Sequence, residues 1–378
     1  MPVSRSSSRR GGGSCWHCAA PRRGRRTTSR SPEDDARRYA LALSLVPQIG
    51  ARTFRKKLAT HGSAAAALAQ LPRAERDAAL AEADTLLAGT AEGGAELLLA
   101  GDITYPEQLM PLPDRPLRLF ARGRTELPAR PCVAIVGTRR ATAYGERATR
   151  AIACVLARAG VCVVSGLARG IDGAAHRAAL EVGGDTIAVL GTGLDVVYPS
   201  AHRALQRQIG ERGLLLSELL PGDRADAGSF PRRNRIIAAL ARAVIIVEAG
   251  VGSGALITAD YALEFGRDVA VVPGPIDAPQ SAGSNRLLCD GATPICQPLD
   301  ALTLAGVDAP GSVGAPVTAS PAEAAVWDVL TREGALDVDA LASAAALPAR
   351  ACLEAVSALE LAGLVECAPT GEVRALTT

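Results

Sequence analysis

From Cys132 to Val272 short β-branched and aliphatic runs alternate with longer amphipathic stretches. The runs predict strands at Cys132–Val136, Val161–Ser165, Thr186–Leu190, Leu214–Ser217, Ala243–Val247 and Val269–Val272. Helices are expected between them, at roughly 145–159, 173–182, 200–211, 232–241 and 255–266. Strands that are apolar throughout must be covered on both faces. The pattern therefore predicts an α/β domain with a parallel sheet between helical layers.

The flanks read differently. Residues 32–100 carry a helical pattern, with a hydrophobic segment, a turn at Gly50 and a second helix that resemble a helix-hairpin-helix or sterile-alpha-motif unit. Gln48 stands where that motif has its second glycine, so phosphate contact by the turn and plain helix packing are both open. Residues 320–378 predict three helices, near 321–332, 337–345 and 349–362, then two short strands, 364–367 and 372–376. This is a winged-helix pattern. Arg350 is the only basic residue between 333 and 373, a poor electrostatic match for duplex DNA. The expected partition is a basic tail (1–31), a helical domain (32–100), a Rossmann-like domain (101–300), a linker (301–319) and the winged helix.

Composition changes this picture in two places. Aromatics are only 3% of residues, so the core must be built from Ala, Leu, Val and Ile. The net charge of +2 conceals an asymmetry: residues 1–30 carry eight arginines and no acid, leaving −6 for the rest. Bulk charge is thus no argument for nucleic acid, and local clusters must carry it. Nine scattered cysteines point to a reducing compartment rather than a disulfide framework. Cys15 and Cys18 form a lone C-x-x-C, too little for a metal site, and no metal or cofactor is expected. No apolar run is long enough for a membrane span, and a cytoplasmic location is expected.

In a parallel sheet, ligands bind beyond the carboxyl ends of the strands. Several Gly-rich loops fall there: Gly137-Thr138-Arg139-Arg140, Ser165-Gly166 through Arg169-Gly170, Gly191-Thr192-Gly193, and Glu248 through Ser253-Gly254. Glycines let backbone N–H groups approach an anion, and helix N-termini add positive charge. The densest basic cluster is Phe230-Pro231-Arg232-Arg233-Asn234-Arg235, read as the opening of a helix. Cations there oppose the helix dipole, as if awaiting an anion. Phe230 beside them suits base stacking on a single strand, or else a hydrophobic staple at the helix start. Asp172 reads as a helix N-cap.

These segments resemble, in order, the motifs of the DNA-processing protein A (DprA, or Smf) family: VAIVGTRRATAYG (133–145), SGLARGID (165–172), GLDVVYP (193–199), FPRRNRII (230–237), SGALITA (253–259), VPG (272–274) and GSN (283–285). Tyr105-Pro106 and Asp114-Arg115-Pro116 match the segment before them, so the resemblance covers about 102–295. It implies an extended Rossmann fold, single-stranded DNA bound in a basic pocket, a homodimer, and loading of the RecA recombinase in natural transformation, without catalysis or cofactor. Carried over, the pocket is Arg139, Ser165, Gly166, Arg169, Phe230 and the arginines at 232, 233 and 235. Gly137, Thr138, Asn234, Ser253 and Gly254 complete the candidate DNA-binding set.

Two enzyme readings compete. Residues 248–254 look like the P-G-G-x-G-T-x-x-E loop of phosphoribohydrolases, but Leu256 stands at the glutamate position and cannot move a proton. A dinucleotide-binding loop would read G-x-G-x-x-G, whereas the loop after the first strand lacks the second and third glycines.

Overall fold

The computed structural model describes residues 31–226, 228–307, 320–361, 364–368 and 371–375. The Cys15/Cys18 pair, nearly all of the basic tail and most of the expected linker lie outside the described residues.

Four helices open the chain: α1 (Pro32–Leu45), α2 (Ala51–His61), α3 (Ala64–Ala69) and α4 (Arg73–Glu92). A capping box sets the start of α1: the Ser31 hydroxyl accepts the Asp34 N–H, while the Asp34 carboxylate accepts the Ser31 N–H. The α/β part follows as β1 (Glu96–Leu99), β2 (Arg118–Gly123), β3 (Cys132–Val136), α5 (Ala143–Arg158), β4 (Cys162–Ser165), α6 (Ile171–Glu181), β5 (Thr186–Leu190), α7 (Arg203–Arg212), β6 (Leu214–Ser217), α8 (Ser229–Leu240), β7 (Ala243–Ile246), α9 (Gly254–Glu264), β8 (Asp268–Val271), α10 (Ala282–Cys289), β9 (Thr293–Pro294) and α11 (Asp300–Ala305). Then come α12 (Pro321–Glu333), β10 (Leu336–Asp337), α13 (Val338–Ala344), α14 (Ala349–Leu361), β11 (Val365–Cys367) and β12 (Glu372–Ala375).

The sheet runs β1-β2-β6-β5-β4-β3-β7-β8-β9. The seven strands from β6 to β9 are parallel, while β2 pairs antiparallel with both β6 and β1. Strands β3 to β6 extend the sheet one way and β7 to β9 the other, so the switch point lies between β3 and β7. Their loops diverge there and open a crevice.

Beyond the unexpected β2, α10, β9 and β10, three further elements depart from the expected pattern. Strand β1 lies inside the stretch read as helical, and pairing with β2 places it in the sheet. The segment read as linker begins with α11, whose Ala301, Leu302 and Ala305 are buried against the same core as β3. Helix α8 starts at Ser229, three residues before the expected start, so Phe230 lies within its first turn rather than ahead of it. The third helix and the small β10-β12-β11 sheet complete the winged helix around Trp327, Leu330, Leu341 and Leu359. Among the described residues, no helix is long and apolar enough to cross a membrane.

Candidate functional site

At the switch point lies a cleft of about 580 Å³. Its walls come from the β3 loop (Gly137, Thr138, Arg139), the start of α8 (Phe230, Arg233, Asn234) and the β7–α9 loop (Gly250 to Gly254, including Ser253). The chain thus brings eight of the thirteen candidate residues to one cavity. Arg139 is exposed, and its guanidinium carbon lies 5.2 Å from the centre of the Phe230 ring, within cation–π range. Asn234 donates through Nδ2 to the Gly254 carbonyl at 3.1 Å, tying α8 to the mouth of α9.

Arg233 has a different task. It is buried, and Nη1 donates to the Gly166 carbonyl at 2.5 Å and to the Val189 carbonyl, clamping the ends of β4 and β5. Gly166 permits this approach, because a Cβ there would stand 2.4 Å from the guanidinium. Burial lowers the Arg233 pKa to about 10; Asp172 opposes that shift and Arg139 adds to it.

Loop amides that looked available to an anion are already engaged. Thr138 N–H donates to the Glu248 carbonyl at 2.6 Å. Asp172 Oδ2 accepts from Gly166 N–H at 3.1 Å and Ala168 N–H at 3.4 Å. Asp172 is therefore no N-cap: it sits inside the first turn of α6, whose N-cap is Gly170, and holds the β4–α6 loop. Burial raises its pKa, against Arg233 and these amides. Glu248 is equally occupied, accepting from Thr142 Oγ1 at 2.5 Å and Thr142 N–H at 2.9 Å. An anion entering the cleft would meet the Arg139 guanidinium and the open Gly252–Gly254 turn rather than the engaged Thr138 amide.

The remaining candidates lie elsewhere. Ser165 is buried, its hydroxyl donating to the Ile135 carbonyl at 2.6 Å, and Arg169 is exposed on the neighbouring loop. Arg232 and Arg235 line a second cleft of about 480 Å³, between α8 and the α1–α2 turn. Arg235 is 2% exposed; Nη2 pairs with Glu218 at 2.8 Å and Nε lies 3.1 Å from Asp114. Arg232 is exposed, 3.4 Å from Glu218. Sequence reasoning missed Tyr198, whose ring centre lies 5.2 Å from that of Phe230; the signal was the GLDVVYP segment.

Fold and cleft together define a class: a Rossmann-like protein with a cationic, aromatic-sided crevice at the switch point, carrying a helical hairpin unit before it and a winged helix after it. The family model for DNA recombination-mediator protein A matches residues 96–305. Models of a DprA-like N-terminal HHH domain and a DprA winged helix domain match 34–96 and 310–371. The chain belongs to the DNA recombination-mediator protein A (DprA/Smf) family. It is 44% identical over 260 residues to a putative DNA processing protein DprA of Mycobacterium tuberculosis, covering 67% of each chain. It is similar in structure to DprA from Streptococcus pneumoniae, with a TM-score of 0.61 and 37% identity over 70% of this chain and 95% of that one. DprA from Helicobacter pylori, described for its single-stranded DNA binding mode, aligns with a TM-score of 0.51 and 35% identity over 56% of this chain and 95% of that one.

Proposed function

We propose that this chain binds single-stranded DNA across the carboxyl edge of its sheet and hands it to the RecA recombinase, as a homodimer, in the uptake or recombination of incoming DNA. The observation that carries the reading is the exposed Arg139 guanidinium over Phe230 at the switch-point cleft. It joins a phosphate-binding charge to a π surface, the pairing that non-specific single-strand binders use. The Helicobacter pylori relative, described for its single-stranded DNA binding mode, supports the same reading. A hydrolytic role would need a proton-transfer group. Glu248 is held by Thr142, and Leu256 stands where the phosphoribohydrolase loop has its glutamate.

Fluorescence anisotropy with labelled oligo-dT across a salt series tests this, on a chain beginning at Ser31 so that the arginine-rich segment before it contributes nothing. The expected log–log slope is roughly −2 to −4, at ~0.7 per phosphate contact, with weaker binding to duplex. Arg139→Ala is expected to weaken binding by about tenfold whatever the base sequence, the loss of one charge-assisted contact. Wild-type affinity in this variant would place the phosphate path elsewhere.

A further inference from the structure

We propose that Tyr198 is a stacking platform for a nucleobase of the bound strand, with Phe230 as its pedestal. The inference rests on the single-stranded-DNA reading above and adds a base subsite to it. Phe230 carries the sequence signal for stacking, yet its surroundings are already taken. Arg139 lies over the ring, and Tyr198 packs on it at a 40° interplanar angle. The Gly191 backbone approaches the ring so closely that a Cβ there would stand 2.7 Å from Cδ1. Phe230 is half-buried among these neighbours and turns only part of its surface to the cleft.

Tyr198 is in the opposite situation. The residue is 45% exposed in a chain with very few aromatics. Tyr144 is the other exposed tyrosine among the described residues, and its hydroxyl donates to the Pro273 carbonyl at 2.8 Å. Tyr198 packs against Phe230, itself a cleft wall, and still keeps surface open to solvent. A rigid aromatic ring loses little conformational entropy on binding, and every base has a π face, so stacking here is independent of sequence. Arg139, over the Phe230 ring on which Tyr198 packs, supplies charge for the phosphate that accompanies the base.

The test compares two fluorescent oligomers of equal length on the full chain: oligo-dT, and one with abasic sites throughout. Both carry the same phosphates, so the arginine-rich N-terminal segment contributes alike to each. Wild type is expected to prefer oligo-dT, and Tyr198→Ala to lower oligo-dT affinity about 5- to 100-fold, the range for loss of one stacked base. The abasic oligomer should be far less affected, and Tyr198→Phe should restore oligo-dT binding because the ring, not the hydroxyl, does the stacking. Equal weakening toward both oligomers would show that Tyr198 merely props up the cleft and would overturn the proposal. So would an unchanged oligo-dT affinity in Tyr198→Ala, or a wild type indifferent to the bases, while the single-strand reading survived both. A wild type that binds neither oligomer removes that reading, and this inference with it.

Discussion

His176 lies fully buried on α6, with Nδ1 2.7 Å from Thr186 Oγ1. The Thr186 hydroxyl donates to the Val163 carbonyl, so it accepts from the imidazole, which fixes the proton on Nδ1 and leaves Nε2 without a partner. Burial, with His202, Arg233 and Arg177 adding, lowers the pKa to about 3. The folded imidazole thus stays neutral where the unfolded one, with a pKa near 6.5, takes a proton. Between about pH 6.5 and 3 the unfolded chain binds more protons, so stability from this residue is intact above 6.5 and falls as the pH drops toward 3. Asp172, raised by burial, works in the opposite direction near the ordinary carboxylate range. Urea midpoints at pH 7.5 and 5.0 should show a loss on the order of 2 kcal/mol for wild type, calculated from the 1.5-unit interval below pH 6.5. His176→Gln should have a flatter pH dependence, whatever its absolute stability. An equal slope in both proteins would mean that His176 is not the acid-sensitive group.

At the scale of elements, α8 shows how a pattern can be legible and its meaning not. The basic cluster and Phe230 stand out in the sequence, but Pro231 suggested a start just ahead of Arg232. The helix in fact begins at Ser229, and a helical periodicity of 3.6 then distributes the arginines around it. Arg233 turns inward to the carbonyls of β4 and β5, Arg235 to Glu218 and Asp114, and Arg232 to solvent. Arg235→Ala leaves Glu218, itself only 18% exposed, with Arg232 alone. Removing one partner of a buried pair costs about 3 kcal/mol. The expected result is a lower thermal midpoint, with oligo-dT affinity of the folded protein largely kept. A variant as stable as wild type but unable to bind would make Arg235 a direct DNA contact.

At the scale of the whole molecule, the helical unit and the sheet share one core. Leu41, Leu43 and Phe54 pack in the same cluster as Leu97, Phe120, Leu190 and Leu215. Arginines reinforce the joint: Arg118 donates to the Ser44 carbonyl at 2.6 Å and Arg37 to the Leu97 carbonyl at 2.8 Å. The winged helix is chemically distinct. Residues 320–375 carry nine carboxylates against three arginines, and Arg332, Arg350 and Arg374 each pair with an acid of the same unit. Such a surface repels a phosphate backbone. A chain ending at Val307 is therefore expected to bind oligo-dT within about twofold of the full chain, a change worth ~0.4 kcal/mol. A tenfold loss in the same anisotropy assay would place the winged helix on the DNA.

Local order was largely written in the chain itself. Apolar runs of four or five residues, separated by amphipathic stretches, can satisfy their backbone and bury both faces in a parallel sheet, and β3, β5 and β6 fall where that pattern puts them. The Gly-rich strand ends and the order of their motifs likewise mark the edge at which the switch-point cleft opens. What the chain order could not reveal is which group answers which. The glycine amide at 166 is free in any linear reading. Only the start of α6 folding back on its own loop brings the Asp172 carboxylate to it. Phe230 reads as a fully open ring until Gly191 and Tyr198, from a different loop, close on part of it. Partners of buried polar groups come from segments distant in sequence, so their assignment belongs to the tertiary structure.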